Sequence, residues 1–269
     1  MLRLTLLRLT LLIALLFCFS ATTTLQAQVL YSDNFDDGVA DGWEQVDLNN
    51  PSFGPGTFDA SSGAFVLALT GELPVGFAGV DHGTLSTWEP TIAAPVADGY
   101  FQGTVRANTH GSTVSLLSRA DPIAGTDYGF FASTLYGTFG IEIFDASKPE
   151  PQTILGLMDP QEFPFAVDED WIIQGGTVGD QITMKVWRPG EPEPAAPQLS
   201  FTDTTFEQGA LCLITYADVG LMTEPVSFSG TFDDVSFHAV PEPTTALPCL
   251  CGFMLLMAMR SRPLRLPTR

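Results

Sequence analysis

Between residues 28 and 240 the apolar side chains recur in runs that are too short, and alternate too strictly, to build helices. Gln181-Ile182-Thr183-Met184-Lys185-Val186-Trp187 places Ile182, Met184 and Val186 on one face of an extended chain. Residues 99–108 do the same, with Phe101, Val105 and Ala107 opposite Gln102, Thr104 and Arg106. Gly, Pro, Asp and Asn punctuate the runs, and Gly179-Asp180 between two of them predicts a hairpin turn. Strands are predicted over residues 29–35, 43–47, 64–70, 76–81, 99–108, 113–119, 128–135, 139–144, 153–157, 171–178, 181–187, 198–201, 210–216 and 226–237. With no fixed-period repeat and no internal boundary, this pattern predicts one all-β domain, a two-sheet antiparallel sandwich.

Charge narrows the function. Six of the 11 basic residues lie in the two ends, as does one of the 31 acidic residues, which leaves residues 28–240 with 5 basic and 30 acidic side chains. A domain so acidic lacks the basic footprint of a nucleic-acid binder and is repelled by anionic lipid. Its aliphatic and aromatic content nevertheless supplies a core, which at about 200 residues buries roughly 70% of the extended-chain surface. Only Cys212 falls inside the domain, in the apolar run Ala210-Leu211-Cys212-Leu213-Ile214. The sequence predicts a buried, inert thiol there and no internal disulfide.

The two ends read as addresses. Arg3 and Arg8 precede an apolar run over residues 9–19, and Leu25-Gln26-Ala27 offers a small residue at a cleavage point before Gln28. This is the three-part pattern of a secretory signal peptide over residues 1–27. At the other end, Pro241-Glu242-Pro243 is followed by an apolar segment over residues 246–259 and then by Arg260 and Arg262. Pro-Glu-Pro cannot lie inside a helix or a central strand, and the arginines act as a stop on the cytoplasmic side. The apolar helix expected over those 14 residues reaches only about 21 Å, short of a hydrocarbon core of about 30 Å.

The tail from residue 240 to 269 resembles the PEP-CTERM sorting signal. The resemblance implies an exosortase-like membrane transpeptidase as partner and transient inner-membrane anchoring. It further implies delivery to the cell surface or extracellular polysaccharide matrix of a Gram-negative-type bacterium. Residues 28–239 carry a second resemblance, to concanavalin A-like jelly rolls of the laminin-G type. It rests on Ser32-Asp33-Asn34-Phe35-Asp36-Asp37-Gly38 with Asp41-Gly42-Trp43 at the start, and on Gly230-Thr231-Phe232-Asp233-Asp234-Val235-Ser236-Phe237 at the close. That fold implies first and last strands side by side; a galactose-binding-type jelly roll is the alternative, also a β-sandwich.

Candidate chemistry is sparse. In Glu142-Ile143-Phe144-Asp145 the two acids are three apart and point to opposite faces of a strand, so the paired carboxylates of a hydrolase are not found along any one strand. His82, His110 and His238 are scattered, and no zinc or nucleophile-elbow motif occurs. The expectation is therefore a non-catalytic exported surface protein, with a lectin-like glycan-binding domain as the alternative and a glycoside hydrolase behind it. Structural Ca²⁺ is the one cofactor considered, held by Asp33, Asp36 and Asp37 of the first loop with Asp233 and Asp234 of the last strand, because hard cations take carboxylate and carbonyl oxygens. Trp187, facing away from Ile182, Met184 and Val186, is the candidate for stacking on a sugar.

Overall fold

The computed structural model describes residues 28–47, 56–71, 82–88, 95–217 and 226–240. Residues 1–27 and 241–269, where the sequence leads one to expect a signal peptide and a sorting tail, lie outside them. Among the described residues fifteen strands follow one another: β1 (Gln28–Asp33), β2 (Trp43–Asp47), β3 (Thr57–Asp59), β4 (Phe65–Gly71), β5 (His82–Trp88), β6 (Gly99–Ala107), β7 (Ser112–Asp121) and β8 (Thr126–Ser133), then β9 (Thr138–Asp145), β10 (Gln152–Leu157), β11 (Trp171–Val178), β12 (Gln181–Trp187), β13 (Leu199–Thr202), β14 (Ala210–Ala217) and β15 (Val226–Ala239). They form an eight-stranded sheet in the order β13-β12-β11-β6-β15-β4-β3, with β1 also beside β15, and a seven-stranded sheet in the order β10-β9-β8-β7-β14-β5-β2. The fold is an all-β jelly-roll sandwich, as the alternation predicts.

β15 organises the first sheet. One side pairs with β6, and the other pairs with β4 through its first half and β1 through its second. Gln28 sits opposite Ala239, so the first and last strands lie side by side. A one-residue bulge between Asp233 and Ser236, with Asp234 at φ 48°, lets β15 bend where it changes partner. The β11–β12 hairpin turns through Gly179 at φ 59°, the left-handed conformation that a primed two-residue turn requires.

Two strands differ from the sequence expectation. β3 is three residues long and gives no periodic signal. β5, His82-Gly83-Thr84-Leu85-Ser86-Thr87-Trp88, has too few apolar residues to register as a strand; the strand expected over residues 76–81 lies outside the described residues.

Aromatic side chains fill the space between the sheets. Phe35, Phe65, Phe101, Tyr128, Phe130, Phe139, Phe232 and Phe237 are all at most 1% exposed. Each large apolar side chain so buried contributes roughly 1.5–3 kcal/mol, which is how a domain without a disulfide is held together. At one end Arg119, left-handed at φ 51° in a bulge of β7, is buried and donates to four oxygens: Ala97 O, Phe206 O, Gly179 O and Asp98 Oδ1. It ties three loops to one strand.

Candidate functional site

The two sheets differ in what lies on their outer faces. In β6 burial alternates strictly, one face in the core and one half-exposed. In β7 and β8 nearly every residue is buried on both faces, and β9 and β10 open to solvent toward one sheet edge, as Glu44 and Gln45 of β2 do at the other. The second face of the seven-stranded sheet is therefore enclosed over β7–β8 and accessible at β9–β10.

Pairing of β8 with β9 sets what this enclosed face carries. Gly129 lies opposite Glu142 and Asp127 opposite Phe144, so Asp127, Gly129, Phe131, Glu142 and Phe144 all project from one face. Tyr128, Phe130, Ile141 and Ile143 project from the other, into or against the core. Glu142 is 4% exposed and Asp127 9% exposed. The Glu142 side chain lies over Gly129: a Cβ there would stand 2.8 Å from both Cγ and Oε1 of Glu142. Gly129 thus supplies the space that the carboxylate occupies.

Hydrogen bonding separates the two acids. Tyr216 of β14 donates its hydroxyl to Glu142 Oε1 at 2.8 Å, and Gln152 of β10 donates its amide to Oε2 at 2.6 Å. Asp127 Oδ1, by contrast, is buried with no hydrogen-bond partner among the described residues. Burial pushes the Asp127 carboxyl well above the usual carboxylate range, and the Glu142 charge beside it adds to that shift. Of the two acids, Asp127 is the one whose neutral form burial favours. A neutral acid beside a hydrogen-bonded carboxylate is an arrangement that can hold hydroxyl-bearing ligands or transfer a proton. Ser115 Oγ, further along the same face opposite Phe131, is a second buried polar atom with no partner. Phe131, Phe144 and Tyr216 add aromatic surface, giving the mix of apolar walls and few polar groups typical of ligand sites.

The residues singled out in the sequence fall elsewhere. The first loop and the last strand do approach one another, since Asp33 sits opposite Val235. Their oxygens are engaged locally, however. Asp33 Oδ1 accepts from Phe35 N and Oδ2 from the Trp43 indole, Asp37 Oδ1 from Val39 N, and Asp233 Oδ1 from Asp234 N. Asp36 Oδ2 accepts from the Asn34 amide. Burial raises the pKa of Asp233, and the charges of Asp234, Asp36 and Asp170 raise it further. Among the described residues no group of three or more His, Cys, Asp or Glu side chains is placed to hold a metal ion. Trp187 projects from the outer face of the eight-stranded sheet but is only 7% exposed, which leaves little ring face for a sugar. On that same outer face the Gln174 amide donates to Gln102 Oε1, with Tyr100 against Gly176. Cys212 is buried, as expected. Pro241, Glu242, Pro243, Arg260 and Arg262 lie outside the described residues.

No family model matches the chain, and no curated protein matches it. Solved structures do. A prokaryotic β-1,3-1,4-glucanase (lichenase) from a mouse hindgut metagenome aligns with 78% of this chain and 99% of its own, at 14% identity and TM-score 0.52. SCLam, a non-specific endo-β-1,3(4)-glucanase of glycoside hydrolase family 16, aligns with 80% and 92%, at 11% identity and TM-score 0.53. A carbohydrate-binding module from Bacillus subtilis aligns with 74% and 96%, at 14% identity and TM-score 0.49. The expectation of a non-catalytic domain is corrected on this finding, because solved structures that share the fold are endo-glucanases. The acids meet across strands rather than along one, since pairing β8 with β9 carries Asp127 onto the face of Glu142. The likeness establishes the fold: the domain is a jelly-roll sandwich of the concanavalin A-like type found in family 16 glucanases.

Proposed function

We propose that the domain binds neutral polysaccharide on the second face of the seven-stranded sheet, with Glu142 and Asp127 at its centre. The observation that carries this reading is the buried pair itself. Glu142 is held by Tyr216 and Gln152, and beside it Asp127 has an oxygen without a partner on a face lined by aromatic rings. The 30 acidic against 5 basic side chains of residues 28–240 repel uronate or sulfated polymers and so favour an uncharged chain. The glucanase fold of the structural neighbours supports a β-glucan as the first polymer to try. An array of neutral and acidic glycans probed with the full chain tests the reading. Binding confined to neutral glucans and lost in Glu142→Gln is expected; uronate binding, or binding indifferent to Glu142, would sink it.

A second reading, hydrolysis, is favoured by the division of protonation between the two acids. Asp127 would protonate the leaving oxygen, and Glu142 would act as base or nucleophile. New reducing ends released from β-1,3-1,4-glucan by the wild-type chain, and by neither Asp127→Asn nor Glu142→Gln, would establish it.

The terminal segments support export, with an exosortase-like transpeptidase acting at the tail and the domain delivered to the cell surface or extracellular polysaccharide. Replacing Pro241-Glu242-Pro243 by alanines is expected to stop tail processing and leave the protein in the inner-membrane fraction. Unchanged processing would refute the sorting role.

A further inference from the structure

The eight-stranded sheet leaves its outer face half-exposed across β6, β11 and β12. Strand register sets two neighbouring rungs of that face. From β12 to β15 the first runs Thr183, Gly176, Tyr100, His238, and the second runs Lys185, Gln174, Gln102, Ser236. Gly176 carries no side chain, and its neighbours close over the gap. A Cβ there would stand 2.5 Å from Thr183 Oγ1 and 2.9 Å from both Cδ1 and Cε1 of Tyr100. The Tyr100 ring therefore leans across Gly176 and, being half-exposed, keeps ring surface in solvent. On the second rung the Gln174 amide donates to Gln102 Oε1 at 3.1 Å. That leaves Gln174 Oε1 as an acceptor and the Gln102 amide as a donor, with no partner among the described residues. Ser236 Oγ and His238 Nε2 lie 3.1 Å apart beside them. Lys185, the formal charge on these rungs, is paired with Glu193.

We propose that this face is a second saccharide site, taking a neutral polysaccharide chain laid across β12, β11, β6 and β15, so that the domain holds glycan on both sheets. The site goes beyond the Asp127–Glu142 reading and does not depend on it. Tyr100 supplies ring surface for the C–H side of a pyranose. The amide pair offers donor and acceptor side by side, matching sugar hydroxyls, which are both at once. Charge argues for the same occupant. Residues 28–240 carry 30 acidic and 5 basic side chains, yet these rungs are neutral once Lys185 is paired. An anionic partner is repelled by the domain as a whole, and a cationic one finds no free carboxylate on these rungs. A protein partner would need an apolar centre, and one ring among amides and hydroxyls does not make one. Three inter-strand spacings give each rung a length of about 14 Å, room for a short oligosaccharide rather than one sugar. With a single ring on an open face, affinity is on the order of millimolar, below what an array retains.

The test is a titration of the full chain with a β-1,3-1,4-gluco-oligosaccharide, carried into the millimolar range. A weak step, separate from any tighter one, is expected in the wild type and should persist in Glu142→Gln. Tyr100→Ala should weaken it about two- to tenfold, the worth of one aromatic stack. Tyr100→Phe keeps the ring and should hold it within about twofold. Gln102→Ala combined with Gln174→Ala should weaken it as well. This amide variant leaves the ring over Gly176, so it tests the face even where Tyr100→Ala fails to fold; urea unfolding of each variant separates lost binding from lost fold. No weak step in the folded wild type overturns the second site, as does a weak step unchanged in the amide variant and in folded Tyr100→Ala. A concentration-dependent dimer that the amide variant dissolves would give the face to a second copy of the chain and overturn it likewise. A wild type showing the weak step alone would refute the Asp127–Glu142 reading and leave this site standing.

Discussion

Gly129→Ala puts the geometry of the site under direct strain. The new Cβ would stand 2.8 Å from Glu142 Cγ and Oε1 and 3.3 Å from Cδ, closer than carbon atoms in contact allow. Alanine in place of glycine in a strand otherwise gains roughly 0.5–1 kcal/mol from backbone entropy. Against this, overpacking costs about 1–3 kcal/mol. Moving Glu142 off its Tyr216 and Gln152 donors costs a further 1.5–3 kcal/mol or so, the usual worth of hydrogen bonds to a charged group. Destabilisation of about 1.5–5.5 kcal/mol is the expected net. Urea unfolding of four proteins, wild type, Gly129→Ala, Glu142→Ala and the double variant, isolates the contact. With the clash against Glu142, the second substitution should recover most of the first one's cost, a coupling of at least about 1 kcal/mol. Equal cost of Gly129→Ala in both backgrounds would show that Glu142 does not lie over Gly129, and the reasoning about the site would fail with it.

Other outcomes follow from the same structure. Arg119→Ala removes one donor from each of three carbonyls and from Asp98, of which Asp98 keeps Gly179 N and Ala97 O keeps the Thr177 hydroxyl. Asp98 is 39% exposed and keeps solvent, so the cost should be about 2–4 kcal/mol rather than the full penalty of an orphaned buried charge, measured by thermal or urea unfolding. A loss under 0.5 kcal/mol or so would mean that the loops do not depend on it. Tyr216→Phe removes one donor from Glu142 and should weaken glucan binding by roughly tenfold, the worth of one hydrogen bond to a charged group; calorimetry that finds unchanged affinity would place the ligand away from Glu142.

The sandwich was legible because its signal is local. Alternation in β6 and β12 states which side chains face the core, and Phe101, Val105, Ile182 and Met184 are buried as that pattern requires. The resemblance of both ends of the domain to a jelly roll anticipated the pairing of β1 with β15. β5 escaped because a strand flanked on both sides can be built from threonine and serine, its place set by its neighbours β14 and β2 rather than by its own apolar content. The candidate site was harder to read because it is a cross-strand contact. Along the sequence Glu142 shows only its spacing from Asp145 on the same strand, and Asp127 belongs to a different strand. One signal was present: each is a lone acid at an alternating position in a largely apolar strand, within Asp127-Tyr128-Gly129-Phe130-Phe131 and Phe139-Gly140-Ile141-Glu142-Ile143-Phe144. A charge in a strand buried on both faces needs a partner, and Gly129 two residues on marks where that partner's side chain lies. The acidic loop at Asp33, Asp36 and Asp37 drew attention by composition alone, while its oxygens serve to turn the chain.

The central claim is where a glycan sits, and a crystal structure of the full chain with a bound β-1,3-1,4-gluco-oligosaccharide tests it most directly. Density for the sugar against the open β9–β10 side of the seven-stranded sheet, with a hydroxyl within hydrogen-bond reach of Asp127 Oδ1 and Glu142, is the predicted result. Sugar density on the opposite sheet, over Tyr100, Gln102 and Gln174, with Asp127 and Glu142 untouched, would contradict it.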